Sequence, residues 1–208
     1  QDFKTNTGIS SMAVVFVATT SSITYISNGQ TFTSYIIYLI LGGIIGGYLG
    51  SKLTFSLETK TLQRIFALLL LVVSYRMIFG EGFSARYEEN IFLYLLIGIL
   101  SGILSGLLGI GGGIVRIPLL IFFGGLGNLA AQGFSLIATV PTALTAAYTK
   151  LKNDREFAKR GCIVGISGIL GSIIGGNLAF NLPQNLLNTS FAIFLLIVSI
   201  NMLLKTTK

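Results

Sequence analysis

The 208-residue chain is too apolar for a soluble domain, since 52% of its residues are hydrophobic and 10% are charged, whereas soluble domains carry about 25% charged residues. Its net charge of +7 does not indicate nucleic-acid binding, because the basic residues stand in short loops beside apolar segments, where membrane proteins concentrate them. With no histidine and a single cysteine, Cys162, a His/Cys metal site and a disulfide framework are excluded, and we expect neither a cofactor nor enzymatic activity.

Long apolar runs predict an all-α, polytopic membrane protein, because a spanning helix needs about 20 mostly apolar residues. In chain order the predicted segments are A (7–27), B (34–56), C (61–79), D (90–110), E (113–123), F (130–149), G (160–182) and H (183–204). Segment E is too short to span, while the 34 residues of D and E together would form a helix about 50 Å long. The sequence therefore predicts about seven spanning helices and one half-helix, with a break at Gly111, Gly112 and Gly113, where glycine lowers helix stability.

Glycines spaced four residues apart mark segments B, D and G. They are Gly42, Gly46 and Gly50 in B, Gly98, Gly102 and Gly106 in D, and the pairs Gly161 and Gly165, then Gly171 and Gly175, in G. In lipid such faces bring helix backbones into van der Waals contact. We interpret them as internal packing surfaces, with a dimerisation surface as the alternative.

Segments C and H are similar at a shift of 125 positions. Eight residues of C recur in H: Leu62, Phe66, Ala67, Leu70, Leu71, Val73, Ser74 and Met77 match Leu187, Phe191, Ala192, Leu195, Leu196, Val198, Ser199 and Met202. The same shift pairs Gly8 and Ser10 of A with Gly133 and Ser135 of F, and a shift of 129 pairs Gly42 and Gly46 of B with Gly171 and Gly175 of G. The sequence predicts two homologous repeats, which are characteristic of transporters.

The predicted repeats divide the chain into 1–80, a linker at 81–89 and a second repeat at 90–208. Segments D and E have no counterparts in the first repeat, because subtracting 125 from 90–123 gives −35 to −2. We interpret the first repeat as lacking an N-terminal glycine-rich segment of roughly 35 to 40 residues.

Two motifs carry a resemblance to a known family. The sequence SGLLGIGGGIVRIPLL at 105–120, followed by AQGFSL at 131–136, resembles the sulfite exporter TauE/SafE family, also called the 4-toluene sulfonate uptake permease family. That family has two related halves, each with a glycine-rich stretch ending in a proline and then an Ala-x-x-Thr-Ser-like element; Phe134 stands where the family usually has Thr. The resemblance implies transport of sulfite, a sulfonate or another sulfur-containing organic anion.

The distribution of Lys and Arg favours inverted repeats. If D and E cross the membrane once, the repeats are parallel and the basic residues divide nine against four between the two sides. If D and E make an even number of crossings, the repeats are inverted and the split is eleven against two, with Arg76 and Arg86 alone outside. Because the cytoplasmic side carries the excess of Lys and Arg, both versions place the C-terminus in the cytoplasm, and we expect a multi-pass protein of the plasma membrane.

Arg116 is the only ionised side chain inside a predicted apolar segment. A charge at membrane depth costs a few kcal/mol unless it lines a polar cavity or is paired, and no span contains Asp or Glu. An anionic substrate is therefore the simplest partner, since a guanidinium suits oxyanions. A half-helix starting near Gly113 would also direct its free N–H groups toward the break. The alternative is that Arg116 lies near the membrane surface and snorkels.

Segment F carries a stripe of hydroxyls, Ser135, Thr139, Thr142 and Thr145, with Pro141 inside it. These side chains line a substrate path or, alternatively, only bond to carbonyls one turn back. The glycine cluster fits neither a dinucleotide fingerprint nor a P-loop, and a purely structural break is its alternative. The candidate substrate-binding residues are Gly111, Gly112, Gly113, Arg116, Pro118, Gly133, Ser135 and Thr139, with Gly8 and Ser10 in the first repeat.

The leading hypothesis is a transporter that moves a small anion by alternating access around a site at the helix break. Its expected partners are the anionic substrate and the lipid bilayer, and homo-oligomerisation is left open. The alternatives are an uncoupled anion channel and a non-transporting membrane scaffold. Coupling to sodium, to a proton carried on the substrate, or to nothing is also open, because no span contains Asp, Glu or His.

Overall fold

The chain forms eight helices in a computed structural model that describes residues 3–53, 59–79, 90–109, 111–151 and 156–207. They are α1 (Phe3–Ser27), α2 (Ile36–Leu53), α3 (Thr59–Phe79), α4 (Ile91–Leu108), α5 (Gly113–Phe122), α6 (Asn128–Leu151), α7 (Glu156–Asn181) and α8 (Gln184–Thr207). Every end lies within four residues of the predicted segments A to H. The predicted linker at 81–89 and the last residues of segment B, 54–56, lie outside the described residues.

Six of the described helices are long and apolar enough to cross a membrane: α1, α2, α4, α6, α7 and α8. α3 contributes a shorter apolar stretch, Leu70–Phe79, and α5 is the ten-residue half-helix. The predicted class, an all-helical polytopic membrane protein, is therefore confirmed. The expected seventh span corresponds to α3, where the continuous apolar stretch is shorter than a bilayer requires.

The glycine faces of α2 and α4 pack directly against each other. Gly42, Gly46 and Gly50 face Gly98, Gly102 and Gly106 in the same order, so the two helices run parallel. A Cβ added at any of the six would collide with the backbone of the other helix. The interpretation of these faces as internal packing surfaces is correct.

The four glycines of α7 divide into two groups. Gly161 and Gly165 lie against Met12 and Phe16 of α1, again as internal packing. A Cβ added at Gly171 or Gly175, in contrast, would meet nothing within 4 Å in the described part of the chain. The packing interpretation stays a prediction for this second pair, because no described helix lies over that face of α7.

The break between α4 and α5 is made by glycines in the left-handed region of backbone conformation, with φ values of 69° at Gly109, 77° at Gly111 and 71° at Gly112. α5 then runs back along α4. Gly112 lies against Ser101 and Ser105, and Gly124, beyond the end of α5, lies against Tyr94. The pair α4 and α5 thus returns the chain to the end of the bundle where α4 begins, and α6 starts from that end.

Equivalent helices of the two predicted repeats run antiparallel. At one end of the α1–α6 interface the Tyr25 hydroxyl donates to Gln132 Oε1 at 2.5 Å, and at the other end Lys150 Nζ lies 3.4 Å from the Thr7 carbonyl oxygen. A shift of 125 positions exchanges these two contacts, because it relates Tyr25 to Lys150 and Thr7 to Gln132. This is the geometry expected of inverted repeats.

The interface of α3 and α8 follows the same shift. The Ser199 hydroxyl donates to the Ala67 carbonyl oxygen at 2.7 Å. Both triplets of residues related by 125 positions are buried there: Ala67, Leu70 and Ser74 in α3, and Ala192, Leu195 and Ser199 in α8.

The contacts of α2 and α7 also follow the shift of 125, not the shift of 129 inferred from the sequence. Gly43 of α2 lies against Thr142 of α6, and Gly168 of α7 lies against Val17 of α1; 43 and 168, like 17 and 142, differ by 125. Gly46 therefore corresponds to Gly171, and Gly50 to Gly175. The uncovered face of α7 is the counterpart of the face of α2 that binds α4.

Two apolar clusters hold α5 in place. Leu120 packs with Tyr94 and Phe134 on one side, and Val115 packs with Leu70 and Leu195 of α3 and α8 on the other. The half-helix is therefore fixed between both halves of the molecule, which sets the position of the side chains near its N-terminus.

Candidate functional site

Arg116 lies in the middle of the bundle. Its side chain contacts Ser101 of α4 and Thr139 of α6, and a Cβ on Gly43 of α2 would lie 3.3 Å from its Nη2 atom. Each of these residues is close to the midpoint of its own spanning helix. Arg116 is also fully buried, with 0% of its surface exposed. The snorkelling alternative is wrong, because a snorkelling side chain would reach the membrane surface.

Every hydrogen bond that the structure shows for this guanidinium goes to a neutral oxygen. Nε donates to Ser101 Oγ at 3.0 Å, and Nη1 lies 3.1 Å from both the Ser135 carbonyl oxygen and Thr139 Oγ1. Nη2 is 3.4 Å from Thr142 Oγ1. Neutral acceptors satisfy the N–H donors but do not neutralise the charge, and a buried uncompensated cation is unfavourable.

Two glycines pack close to Nη2, the guanidinium nitrogen with the longest hydrogen bond. A Cβ on Gly43 would lie 3.3 Å from this atom and would collide with Thr142 Oγ1, and a Cβ on Gly112 would lie 3.4 Å from Nη2 and 2.8 Å from the Ser101 carbonyl oxygen. A side chain at either position would press against the guanidinium or its neighbours. Glycine at both positions therefore allows the helices to pack closely around Arg116.

The N-terminus of α5 and the Ser135 side chain lie close to each other beside Arg116. The N–H groups of Val115 and Arg116 bond to the Gly112 carbonyl, so those of Gly113 and Ile114 have no acceptor within the helix. Ser135 Oγ, which would lie 3.4 Å from a Cβ on Gly113, is buried and has no hydrogen-bond partner among the described residues. Helix N–H groups, a hydroxyl and a guanidinium together form a donor set suited to an anion.

Thr139 joins the site to the glycine break. Its hydroxyl lies 2.9 Å from the Gly111 carbonyl oxygen and 2.7 Å from the Ser135 carbonyl oxygen. A Cβ on Gly111 would lie 2.7 Å from Val14 and 3.3 Å from the Thr139 methyl group. Glycine at position 111 therefore allows α1 and α6 to lie close to the break, whereas Gly112 and Gly113 lie next to the donor set.

The remaining candidate residues lie outside this donor set. Gly133 packs against Tyr25, Gln30 and Phe32, and Pro118 is buried in the interior of α5. Each stands two residues from a residue of the site, Ser135 or Arg116, and two residues turn a helix by roughly 200° to its other side.

The two candidates of the first repeat lie near the break. Ser10 donates to the Gly109 carbonyl oxygen at 2.6 Å, and Gly8 is buried two residues earlier in α1. The candidates brought together around the guanidinium are therefore Gly111, Gly112, Gly113, Arg116, Ser135 and Thr139.

A comparison with known families matches the chain to the family described as "Sulfite exporter TauE/SafE" over residues 1–77 and 94–208. The match includes α2 and the stretch from residue 94, in the first turn of α4, to the end of α6, which together surround Arg116. The chain belongs to the sulfite exporter TauE/SafE family. It is thus a multi-pass membrane protein of a transporter family, as the six candidate spans require.

Curated relatives of this family member carry transporter names. Two proteins of Xylella fastidiosa, from strains 9a5c and Temecula1 / ATCC 700964, are each described as "Probable membrane transporter protein"; each is 26% identical over 205 residues, covering 93% of this chain and 77% of the relative. The "Probable membrane transporter protein YunE" of Bacillus subtilis strain 168 is 29% identical over 120 residues, covering 54% of this chain and 44% of the relative. No solved structure matches the chain significantly.

Three residues of the site are missing from the candidate substrate-binding residues predicted for this TauE/SafE member. Ser101 and Gly43 were not singled out, and Thr142 was named only as part of the hydroxyl stripe. A signal for Ser101 exists, because Ser101 and Ser105 are the two serines of a largely apolar α4. Gly43 and Gly47 form a second glycine face on α2, adjacent to the one that binds α4.

No cluster of three or more His, Cys, Asp or Glu side chains that could hold a metal occurs in the described part of the chain. The groups beside Arg116 that have no partner among the described residues, the Ser135 hydroxyl and the N–H groups at the start of α5, are donors, which suit an anion better than a metal cation.

Ser101→Ala should destabilise the protein, because it removes the acceptor of the buried Arg116 Nε–H. An unsatisfied buried donor costs about 1–3 kcal/mol, which thermal unfolding in detergent would detect. Ser167→Ala is the matched control, since the Ser167 hydroxyl is exposed and bonds only to the Ile163 carbonyl one turn back. Equal unfolding temperatures for the two variants would contradict the role of Ser101.

Proposed function

We propose that this protein transports a small oxyanion across the plasma membrane and binds it at Arg116. Sulfite, a sulfonate or a related sulfur-containing organic anion is the proposed substrate. The observation that carries the proposal is a fully buried guanidinium at mid-depth with neutral partners, next to the N-terminus of α5. No cofactor or enzymatic step takes part in it.

An oxyanion would compensate a charge that no described residue compensates. Moving a charged side chain to the centre of a bilayer costs a few kcal/mol, and an anion beside Nη2 would offset that cost. Because the four hydrogen bonds of the guanidinium use four of its five N–H groups, one N–H of Nη2 is left for an anion oxygen. Further oxygens would accept from Ser135 Oγ or from the N–H groups of Gly113 and Ile114. A sulfite or sulfonate group presents three oxygens on one side, which suits three kinds of donor: the guanidinium, the hydroxyl and the N-terminus of α5.

The arrangement of the helices supports alternating access. We infer two inverted repeats, 1–80 and 90–208, related by a two-fold axis in the membrane plane, because α1 runs antiparallel to α6 with contacts exchanged by a shift of 125, and α3 and α8 bury equivalent residues against each other. Inverted repeats with a broken helix at mid-depth are typical of secondary transporters. The Lys and Arg distribution supports a cytoplasmic C-terminus.

Sulfite transport into proteoliposomes tests this function. We expect uptake of radiolabelled sulfite that saturates with concentration and is accelerated by unlabelled sulfite on the opposite side, since a carrier returns faster when loaded. Uptake that rises linearly without such acceleration would favour the anion channel. No uptake of sulfite or methanesulfonate above protein-free liposomes would contradict transport and favour the scaffold.

Ser135→Ala should weaken anion binding without lowering stability. The Ser135 hydroxyl has no partner in the described chain, so its removal breaks no hydrogen bond in the folded protein. Loss of one donor to the anion should reduce sulfite affinity about tenfold, equivalent to about 1.4 kcal/mol, in a calorimetric titration.

Ser22→Ala is the control for this variant. Ser22 is also buried, but its hydroxyl donates to the Ala18 carbonyl at 2.7 Å, away from Arg116. This variant should bind sulfite as the unmodified protein does. Unchanged sulfite affinity in Ser135→Ala would remove Ser135 from the site.

A further inference from the structure

Lys150 is a second buried cation, in the last turn of α6. A lysine at the end of a spanning helix normally snorkels to the headgroup layer. Lys150 is instead only 3% exposed, and its Nζ atom lies 3.2 Å from Ser11 Oγ and 3.4 Å from the Thr7 carbonyl oxygen of α1. The ammonium group therefore points into the α1–α6 interface and not toward the lipid surface.

Lys52 shows the ordinary behaviour within the same protein. It also occupies the last turn of a spanning helix, α2, but it is exposed and its Nζ atom lies 4.4 Å from the centre of the Tyr48 ring. A favourable interaction with the C-terminal end of a helix dipole is open to both lysines. It therefore does not explain why Lys150 alone turns inward.

The glycine break connects Lys150 to the Arg116 site. Lys150 stands eight residues after Thr142 on α6, a rise of about 12 Å. Between Arg116 and Lys150, Ser10 donates to the Gly109 carbonyl oxygen. A Cβ on Gly109 would lie 2.5 Å from the Thr7 carbonyl oxygen that Lys150 contacts. Polar groups thus continue from Arg116 past the break to Lys150.

The opposite end of the α1–α6 interface has a neutral residue at the equivalent position. The residue that corresponds to Lys150 by the shift of 125 is Tyr25, whose neutral hydroxyl donates to Gln132. Among the described residues of this interface, the buried cation therefore lies at the end nearer the C-terminus of α6. Inward-facing charges in membrane proteins mark substrate pathways, and this one would act from one side only.

We propose that Lys150 is a second binding residue for the transported oxyanion, on the side of the membrane where α6 ends. The assignment rests on the proposed function. An ammonium group has three N–H donors, so it can bind an anion oxygen while it still contacts Thr7 and Ser11. The anion passes between Lys150 and Arg116 on its way to or from that side.

Sidedness of the transport kinetics tests the assignment. In membrane vesicles of each orientation, Lys150→Gln should raise the half-saturating sulfite concentration about tenfold when sulfite is supplied on the Lys150 side, and leave it unchanged from the other side. Lys150→Arg should restore most of the affinity because it keeps the charge, and Lys52→Gln should have no effect. A purely structural role of Lys150 would change both sides equally, which would overturn the proposal, as would no change on either side.

Ser11→Asp provides a second variant that keeps Lys150 in place. A carboxylate beside Nζ would neutralise the ammonium group, and the same loss of affinity on the same side is expected. Unaltered kinetics in Ser11→Asp would overturn the proposal even if Lys150→Gln failed to fold. Absence of saturable transport in the unmodified protein would overturn both the function and this assignment, whereas normal transport with an unaffected Lys150→Gln variant would overturn this assignment alone.

Discussion

Arg116→Gln should abolish saturable sulfite binding while the protein still folds. Removing one partner of a buried charge pair costs about 2–5 kcal/mol, so affinity should fall at least about 30-fold. Folding should survive because the substitution also removes a buried charge that has no counter-ion among the described residues, and such a charge is itself unfavourable. Arg116→Lys should retain weak binding, since an ammonium group keeps the charge but loses the planar, two-donor geometry. Calorimetric titration of the detergent-solubilised chain with sulfite measures all three forms.

Lys159→Gln is the control for the Arg116 variants. Lys159 is an exposed basic residue near the start of α7, so the variant removes the same unit of charge without touching the site. Its sulfite affinity should equal that of the unmodified protein. If Arg116→Gln bound sulfite within twofold of the unmodified protein, Arg116 would not be the anion ligand.

Gly46→Leu should prevent correct folding, whereas Gly171→Leu should be tolerated. A Cβ on Gly46 collides with the backbone of α4 at Ile99, and a Cβ on Gly171 meets nothing within 4 Å in the described chain. Overpacking typically costs about 1–3 kcal/mol, and a backbone collision between helices should cost more because neither backbone can give way. Leu at Gly171 should be neutral or slightly stabilising, because Leu has the higher helix propensity.

Size-exclusion chromatography and thermal unfolding in detergent measure this difference. The two glycines are equivalent positions by the shift of 125, so the pair compares the same substitution on the same face of two related helices. α2 and α4 both border Arg116, through Gly43 and Ser101, so Gly46→Leu should also abolish sulfite binding. Similar behaviour of both variants would contradict the packing described for α2 and α7.

The helices and the Arg116 site could be predicted because lipid imposes simple rules. A spanning segment must be apolar over about 20 residues. The hydropathy pattern therefore predicted both ends of each of the eight helices to within four residues of their positions in the structure. A charge in such a run needs a reason, which singled out Arg116. Three consecutive glycines located the break, and the structure places Gly111 and Gly112 there in left-handed conformations.

Other features depend on which helices become neighbours, and periodicity does not determine that. Spacing by four assigned Gly171 and Gly175 to a packing face, but no described helix covers them. Ser101 became important only because α5 turns back along α4. In the sequence Lys150 looks like one of the basic residues of a loop, because it shortly precedes Lys152 and Arg155. Only the packing of α1 against α6 shows that its side chain points inward.

In the sequence, the relative direction of the two predicted repeats depended on the distribution of Lys and Arg. A split of eleven against two favoured an even number of crossings for D and E, and the return of α5 along α4 is compatible with that prediction. The decisive features are the left-handed glycines after α4, since they turn the chain by the local backbone and not by a long loop.

Binding of methanesulfonate compared with dimethyl sulfone is the most direct measurement of the central claim, that a buried guanidinium selects an oxyanion by its charge. The two molecules are close in size, but only methanesulfonate is charged. We predict saturable calorimetric binding of methanesulfonate to the unmodified chain, its loss in Arg116→Gln, and no binding of dimethyl sulfone to either. Equal binding of both molecules, or methanesulfonate binding that survives in Arg116→Gln, would contradict an anion site at Arg116.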